Sequence, residues 1–366
     1  MTLYSGGFRI DGFIPSETSD DAATIQFVQA PERTERVDLS GFCTPVEDQG
    51  TIGSCTANAV VGAVEYFIRR STGETLDLSR LFIYYNSRRM SDREDVDDGT
   101  SMEHAMAAYM ANGTVPEANW PYDKARWRLK PPEALYEAAT NFSHYGMGAL
   151  QFGRVTPDDM RKALLAAGYP IVFGMGVPDE LMMRIGAQTG YMPAPSDGRW
   201  EDPNGAHAML IVGFDDSKNA WIVRNSWGTG WGINGHVLID YEVLDHYSFK
   251  NGFWTLGPFD QQQYFRVMAS AGQPAMTMQA NASSAPDSIK DRREEIRGSL
   301  KDQAEETRKS VRDRLRGPGA GGGYDKGPGA GGGYDRGPGA GGGYDEGPGA
   351  GGGYDRGPGA GGGYDD

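Results

Sequence analysis

Gln49-Gly50-Thr51-Ile52-Gly53-Ser54-Cys55 is the stretch on which the reading of this 366-residue chain turns. It places a thiol six residues after a carboxamide. The thiol stands just ahead of Ala57 to Arg70, where Ala59, Val60, Ala63, Val64, Phe67 and Ile68 make the broad apolar face of a helix. Far downstream come His207 and then Asn225, the latter inside Asn225-Ser226-Trp227-Gly228-Thr229-Gly230-Trp231-Gly232. A thiol, an imidazole and a side-chain amide are the parts of a cysteine-nucleophile hydrolase.

The chemistry assigns a role to each. A free thiol is largely protonated at neutral pH and needs help to ionise. A position at the start of a helix favours its negative charge. A facing imidazolium at His207 favours it further and then returns a proton to the leaving amine. Asn225 is suited to hold the other ring nitrogen, and the indole of Trp227 to cover that hydrogen bond. Gln49 and the backbone N–H of Cys55 are the expected donors to an oxyanion. Taken singly, each residue has a plainer role. A lone cysteine on an apolar helix is ordinarily a small buried hydrophobe, a lone histidine a satisfied core residue, and Asn-Ser-Trp-Gly a turn. Their joint occurrence in this order carries the argument. No cofactor or metal is expected.

Composition sets outer limits. The chain has two cysteines, Cys43 and Cys55, too few for a disulfide framework, which points to a reducing, cytoplasmic setting. The first thirty residues show no secretory signal pattern, and no apolar run has the roughly 20 residues of a membrane span. A net charge of −15 argues against nucleic acid as a partner.

The composition changes three times along the chain. Residues 37–265 read as one globular domain, preceded by 1–36, which either pack on it as an integral part or run through its cleft as a short propeptide-like latch. Residues 266–286 read as a flexible linker. Residues 287–316 carry ten Lys/Arg and eight Asp/Glu. Their apolar stripe of Ile289, Ile296, Leu300, Ala304, Val311 and Leu315 fits a charged helix, either solvated or a self-associating coiled coil or membrane-surface helix. Residues 317–366 are five copies of Gly-Pro-Gly-Ala-Gly-Gly-Gly-Tyr-Asp-X, an expected disordered tail. They hold no aliphatic side chain larger than alanine to bury against the entropy of ordering. The tail's tyrosines, Tyr324 to Tyr364 at ten-residue intervals, make it either a spacer or a multivalent tether to an unknown partner.

Within the globular part, Leu81 to Arg89, Met102 to Met110 and Asp158 to Ala167 read as further helices, the last entered through Thr156-Pro157-Asp158. Short β-prone runs follow at Ile171 to Phe173, Ala208 to Val212, Ala220 to Arg224, Val237 to Asp240 and Phe253 to Thr255. A helical first half and a β-rich second half predict an α+β protein with two lobes.

The motifs resemble those of the papain-like cysteine peptidases. Thr44-Pro45-Val46-Glu47-Asp48-Gln49-Gly50, with Gly53-Ser54-Cys55, is similar to that family's active-site segment. His207-Ala208-Met209-Leu210-Ile211-Val212-Gly213-Phe214 resembles its histidine strand, and Trp221 to Gly232 its asparagine segment. Trp120-Pro121-Tyr122 is a weaker echo. The resemblance spans roughly residues 37–258. It implies the papain fold, with a helical left lobe and a β-rich right lobe, and hydrolysis of a peptide or protein substrate through a thioester. Gln49, Cys55, His207 and Asn225 carry over as oxyanion donor, nucleophile, acid/base and orienter. Thr56 follows the nucleophile where secreted members usually have tryptophan, and Ile52 stands at a position that is normally a disulfide cysteine. Those departures, with Gly12-Phe13-Ile14-Pro15-Ser16 and Leu78 to Asn86, resemble the disulfide-poor bacterial branch.

Two other functions share these parts. A peptide-binding scaffold would use the cleft without chemistry, and the repeats favour it, although no catalytic residue is missing. A transpeptidase or ligase would pass the same thioester to an amine instead of water.

Overall fold

A computed structural model describes residues 3–5, 8–15, 34–142, 147–151, 156–178, 180–250 and 252–258. The linker, charged helix and repeats expected over 266–366 lie outside the described residues, as do His144 and residues 16–33.

The first lobe is built on α1 (Cys55–Thr72), an 18-residue helix buried from Cys55 through Ile68. Around it pack α2 (Arg80–Arg89) and α3 (Met102–Asn112), each started by a serine, Ser79 or Ser101, whose side chain accepts from the N–H three residues on. Val60, Val64, Tyr66, Leu81, Phe82, Met106 and Tyr109 form its core. α4 (Glu133–Phe142) follows, a helix the sequence reading did not assign.

The second lobe is a sheet with spatial order β4-β10-β5-β7-β8-β9-β6. In chain order its strands are β4 (Met147–Gln151), β5 (Ile171–Gly176), β6 (Tyr191–Met192), β7 (Ala206–Asp215), β8 (Ala220–Arg224), β9 (His236–Asp240) and β10 (Trp254–Pro258). Neighbours are antiparallel except β6 beside β9, and β3 (Arg36–Asp38) pairs with the far end of β7. Helix α5 (Pro157–Lys162) opens on a capping box between Thr156 and Asp159 and continues as a wider turn over Ala163–Ala167. α6 (Glu180–Thr189) and α7 (Tyr241–Tyr247) complete the lobe. No helix among the described residues is long and apolar enough to cross a membrane.

β7 joins the two lobes. Ala208, Leu210 and Val212 belong to the core around α1, whereas Met209 and Ile211 belong to the second core with Phe173, Trp221 and Val223. Alternate side chains of a strand face opposite ways. A strand covered on both faces therefore reads as an unbroken apolar run, which is what Ala208 to Val212 is. Its first turn of residues, beginning at Ala206, lies beside the start of α1.

Near the N-terminus β1 (Tyr4–Ser5) and β2 (Phe8–Arg9) form a short antiparallel pair. Residues 10–15 continue from it between the lobes. Phe13 bridges Thr100 on the helical side, and Asp11 bridges Ala206 on the sheet side.

Candidate active site

Cys55 is the first residue of α1, and its cap position is unusual. Ser54 makes no side-chain cap and no acidic residue occupies the first turn. Ser54 Oγ bonds instead to Tyr122 Oη and accepts from Asn58 Nδ2 (3.1 Å). No cap or first-turn side chain thus competes with the sulfur for the positive end of the helix.

On the facing wall, β7 carries His207 and the end of β8 leads into Asn225. His207 Nε2 lies 2.8 Å from Asn225 Oδ1. The same amide oxygen accepts from the Ser226 N–H (2.8 Å), which fixes its orientation. Trp227 stacks on the imidazole with ring centres 4.5 Å apart and planes 26° apart, so the bond is shielded on one face. The backbone of Ala208, next to His207, hydrogen-bonds the Cys55 sulfur. Gln49 is wholly buried nearby. Its Oε1 accepts from Ser226 Oγ (2.6 Å), and one of its two Nε2 hydrogens goes to the Ile52 carbonyl (3.0 Å). The second amide hydrogen remains for a ligand. The four residues singled out from sequence therefore come together on the cleft. Asn225 and Gln49 are both tied through Ser226, a link that sequence reading missed.

Both reactive groups are covered. Cys55 is 0% and His207 1% exposed. Burial is the main cause that pushes the Cys55 thiol up to about 11, against weaker opposing hydrogen bonds from Ala208 and Thr56. Burial likewise drives His207 down to about 4, opposed by the Asn225 bond. At pH 7 the pair in this arrangement is a neutral thiol and a neutral imidazole.

The cover is the N-terminal segment. A side-chain carbon on Gly12 would lie 2.9 Å from Cys55 Sγ and 2.8 Å from the Gly53 carbonyl, so only glycine allows the chain to cross the sulfur there. The Gly12 carbonyl accepts from the Thr100 N–H (3.2 Å), the Ile14 N–H donates to the Thr100 carbonyl (3.1 Å), and the Phe13 N–H donates to the Ala206 carbonyl (3.3 Å). Phe13 packs on Phe249 (5.5 Å between ring centres) and against Gly174. Phe8 stacks on the outer face of Trp227 (5.0 Å). The Gly12 carbonyl is thus engaged by Thr100 and, at 3.5 Å, by the Thr56 hydroxyl.

Cys43 and Cys55 are both free and buried. Of the other histidines, His246 stacks on Trp200 (4.3 Å) and His236 Nδ1 lies 3.1 Å from the Asn234 carbonyl, both away from the thiol.

Comparison with known proteins agrees with this geometry. The family described as papain family cysteine protease matches residues 30–253. An uncharacterised peptidase C1-like protein of Acanthamoeba polyphaga mimivirus is 35% identical over 214 residues, covering 57% of this chain and 68% of the viral protein. Cathepsin K of Gallus gallus is 32% identical over 209 residues, 54% of this chain and 56% of its own length. The chain thus spans only a little over half of that relative. Xylellain, a cysteine protease from Xylella fastidiosa, superposes with a TM-score of 0.59 at 28% identity, covering 71% of this chain and 98% of xylellain. By the match over residues 30–253 and the two-lobed fold that carries it, this chain belongs to the papain family of cysteine proteases.

Proposed function

We propose that the protein hydrolyses peptide bonds through a thioester on Cys55, and that residues 8–15 hold it in a latched, inactive form. The observation that carries the reading is the His207–Asn225 bond of 2.8 Å, fixed under Trp227 on the strand that touches the sulfur.

With the latch withdrawn, water reaches the sulfur and the ring, and the desolvation that holds both neutral is relieved. The Cys55 proton then moves to His207, aided by the start of α1. The thiolate attacks the substrate carbonyl, forming a C–S bond and an oxyanion that the free Gln49 hydrogen and the Cys55 N–H stabilise. His207 gives its proton to the leaving nitrogen as the C–N bond breaks. Water then adds to the thioester while His207 takes its proton. The C–S bond breaks, releasing the acid, and the thiolate regains its imidazolium partner. Asn225 keeps the ring in the orientation that serves both transfers.

Two free cysteines support work in a reducing, cytoplasmic compartment. The test of the function is turnover of a peptide library by the full chain carrying Gly12→Val, which displaces the latch, together with labelling by a thiol-directed epoxide. The reading expects cleavage and a single adduct at Cys55, both lost in Cys55→Ala. A library left intact with an unlabelled thiol contradicts it.

A further inference from the structure

The latch carries an arginine in a notch that looks built for one. Arg9 is 2% exposed. Its Nε donates to Asp11 Oδ1 (2.7 Å), a latch residue. The rest of the fork is received by the cleft wall. Nη1 donates to Asp97 Oδ2 and to the Thr51 carbonyl (3.2 Å), and Nη2 donates to the Asp97 carbonyl. Gly53 makes the floor, since a side-chain carbon there would press on the guanidinium at 3.1 Å.

Part of the notch is held by groups other than Arg9. Asp97 Oδ1 is anchored by the Gly53 N–H (3.0 Å) and by the Tyr84 hydroxyl, both belonging to the first lobe. That leaves Oδ2 as the oxygen that faces the guanidinium. Once the latch leaves, the wall keeps a carboxylate with one oxygen tethered and one open, flanked by two carbonyls. A half-buried carboxylate without its cation is costly, and a planar fork that bonds several acceptors at once is what such a set receives best.

Resting on the peptidase reading, we propose that Asp97 is the specificity-determining residue of the open cleft and selects a substrate arginine immediately before the cleaved bond. The position follows from Gly53, which is two residues ahead of Cys55 and shares with the sulfur the point where Gly12 now sits. A carbonyl placed on the sulfur has its own side chain next to Gly53. Arg9 thus occupies, as part of the latch, the seat of the substrate's side chain.

The test uses the full chain carrying Gly12→Val to displace the latch. Paired fluorogenic peptides differ only in arginine or citrulline, its neutral isostere, before the cut. The arginine peptide should turn over about 10–100-fold faster, as a charge-assisted hydrogen bond of this kind warrants. Asp97→Asn, which keeps the tethered oxygen, should shrink that ratio to a few-fold. A binding arm is independent of chemistry. In Cys55→Ala with Arg9→Gln and Gly12→Val, which removes the guanidinium, displaces the latch and leaves Asp97 intact, calorimetry should show the arginine peptide binding at least tenfold more tightly than the citrulline peptide. Equal turnover or equal affinity of the two peptides overturns the proposal. Tighter arginine binding with no turnover of any peptide by the Gly12→Val chain would uphold the notch and remove the peptidase reading.

Discussion

The two sides of the covered thiol are held in very different ways. His207 and Asn225 sit on or beside β7 and β8, central strands paired on both edges, and the ring is clamped between Asn225 and Trp227. Residues 10–15 are held by isolated bridges to Thr100 and Ala206, one aromatic contact and the Arg9 clasp. A segment with few ladder bonds opens at lower free energy than a central strand. On the proposed function, the chemistry lies on the firmly paired part of the molecule and its control on the part held by fewer bonds.

The largest break in that comparison comes from Cys55→Ala. It should abolish peptide hydrolysis while leaving the thermal midpoint near the wild-type value, read by calorimetry. The new side chain fills most of the old space and the latch still closes. Gln49→Ala is next. Loss of one oxyanion donor should lower kcat about 10²–10³-fold with a smaller change in KM. Because Gln49 Oε1 also receives Ser226, a modest loss of stability is expected as well.

Gly12→Val acts on the other side of the comparison. It should raise the rate of the full chain about tenfold or more, because the valine has no room beside the sulfur and the Gly53 carbonyl. A variant no faster than wild type would remove residues 8–15 from the control of the site.

Acidity should sharpen the contrast further, with a smaller effect. In the closed form burial lowers the His207 pKa from its ordinary 6.5 to about 4 and raises the Cys55 pKa from 9.0 to about 11. The closed pair therefore resists both gaining and losing a proton. A proton taken up by the exposed pair at low pH, or lost from it at high pH, favours opening by up to about tenfold per pH unit, so the latched form should be most stable around neutral pH. Hydrogen exchange of the Ile14 and Phe13 amides across pH 5–8 would show it as faster opening at the acid end.

Much of this was legible in the sequence, for local reasons. α1 declares itself through its apolar face, and β7 through a run apolar on both sides. The first turn of α5 is announced by Thr156-Pro157-Asp158. Cys55, His207 and Asn225 are recognisable because each lies in a segment whose neighbours are also constrained by packing. α6 and α7 were not legible. α6 carries Gly186 inside it, and α7 is seven residues started by Asp240, a residue that also reads as the end of a strand. The clasp is further out of reach. Arg9 and Asp97 are 88 residues apart, and nothing in either neighbourhood marks a pair. Gly12 reads as a turn residue until the sulfur is seen beneath it.

The measurement that bears most directly on the account is the rate at which a thiol-directed epoxide labels Cys55 as a function of pH, in the wild-type chain and in Gly12→Val. The account predicts slow wild-type labelling at neutral pH that climbs steeply into the alkaline range, and fast labelling of the variant already at pH 7. Superimposable profiles, or a sulfur that reacts in neither protein, would contradict it.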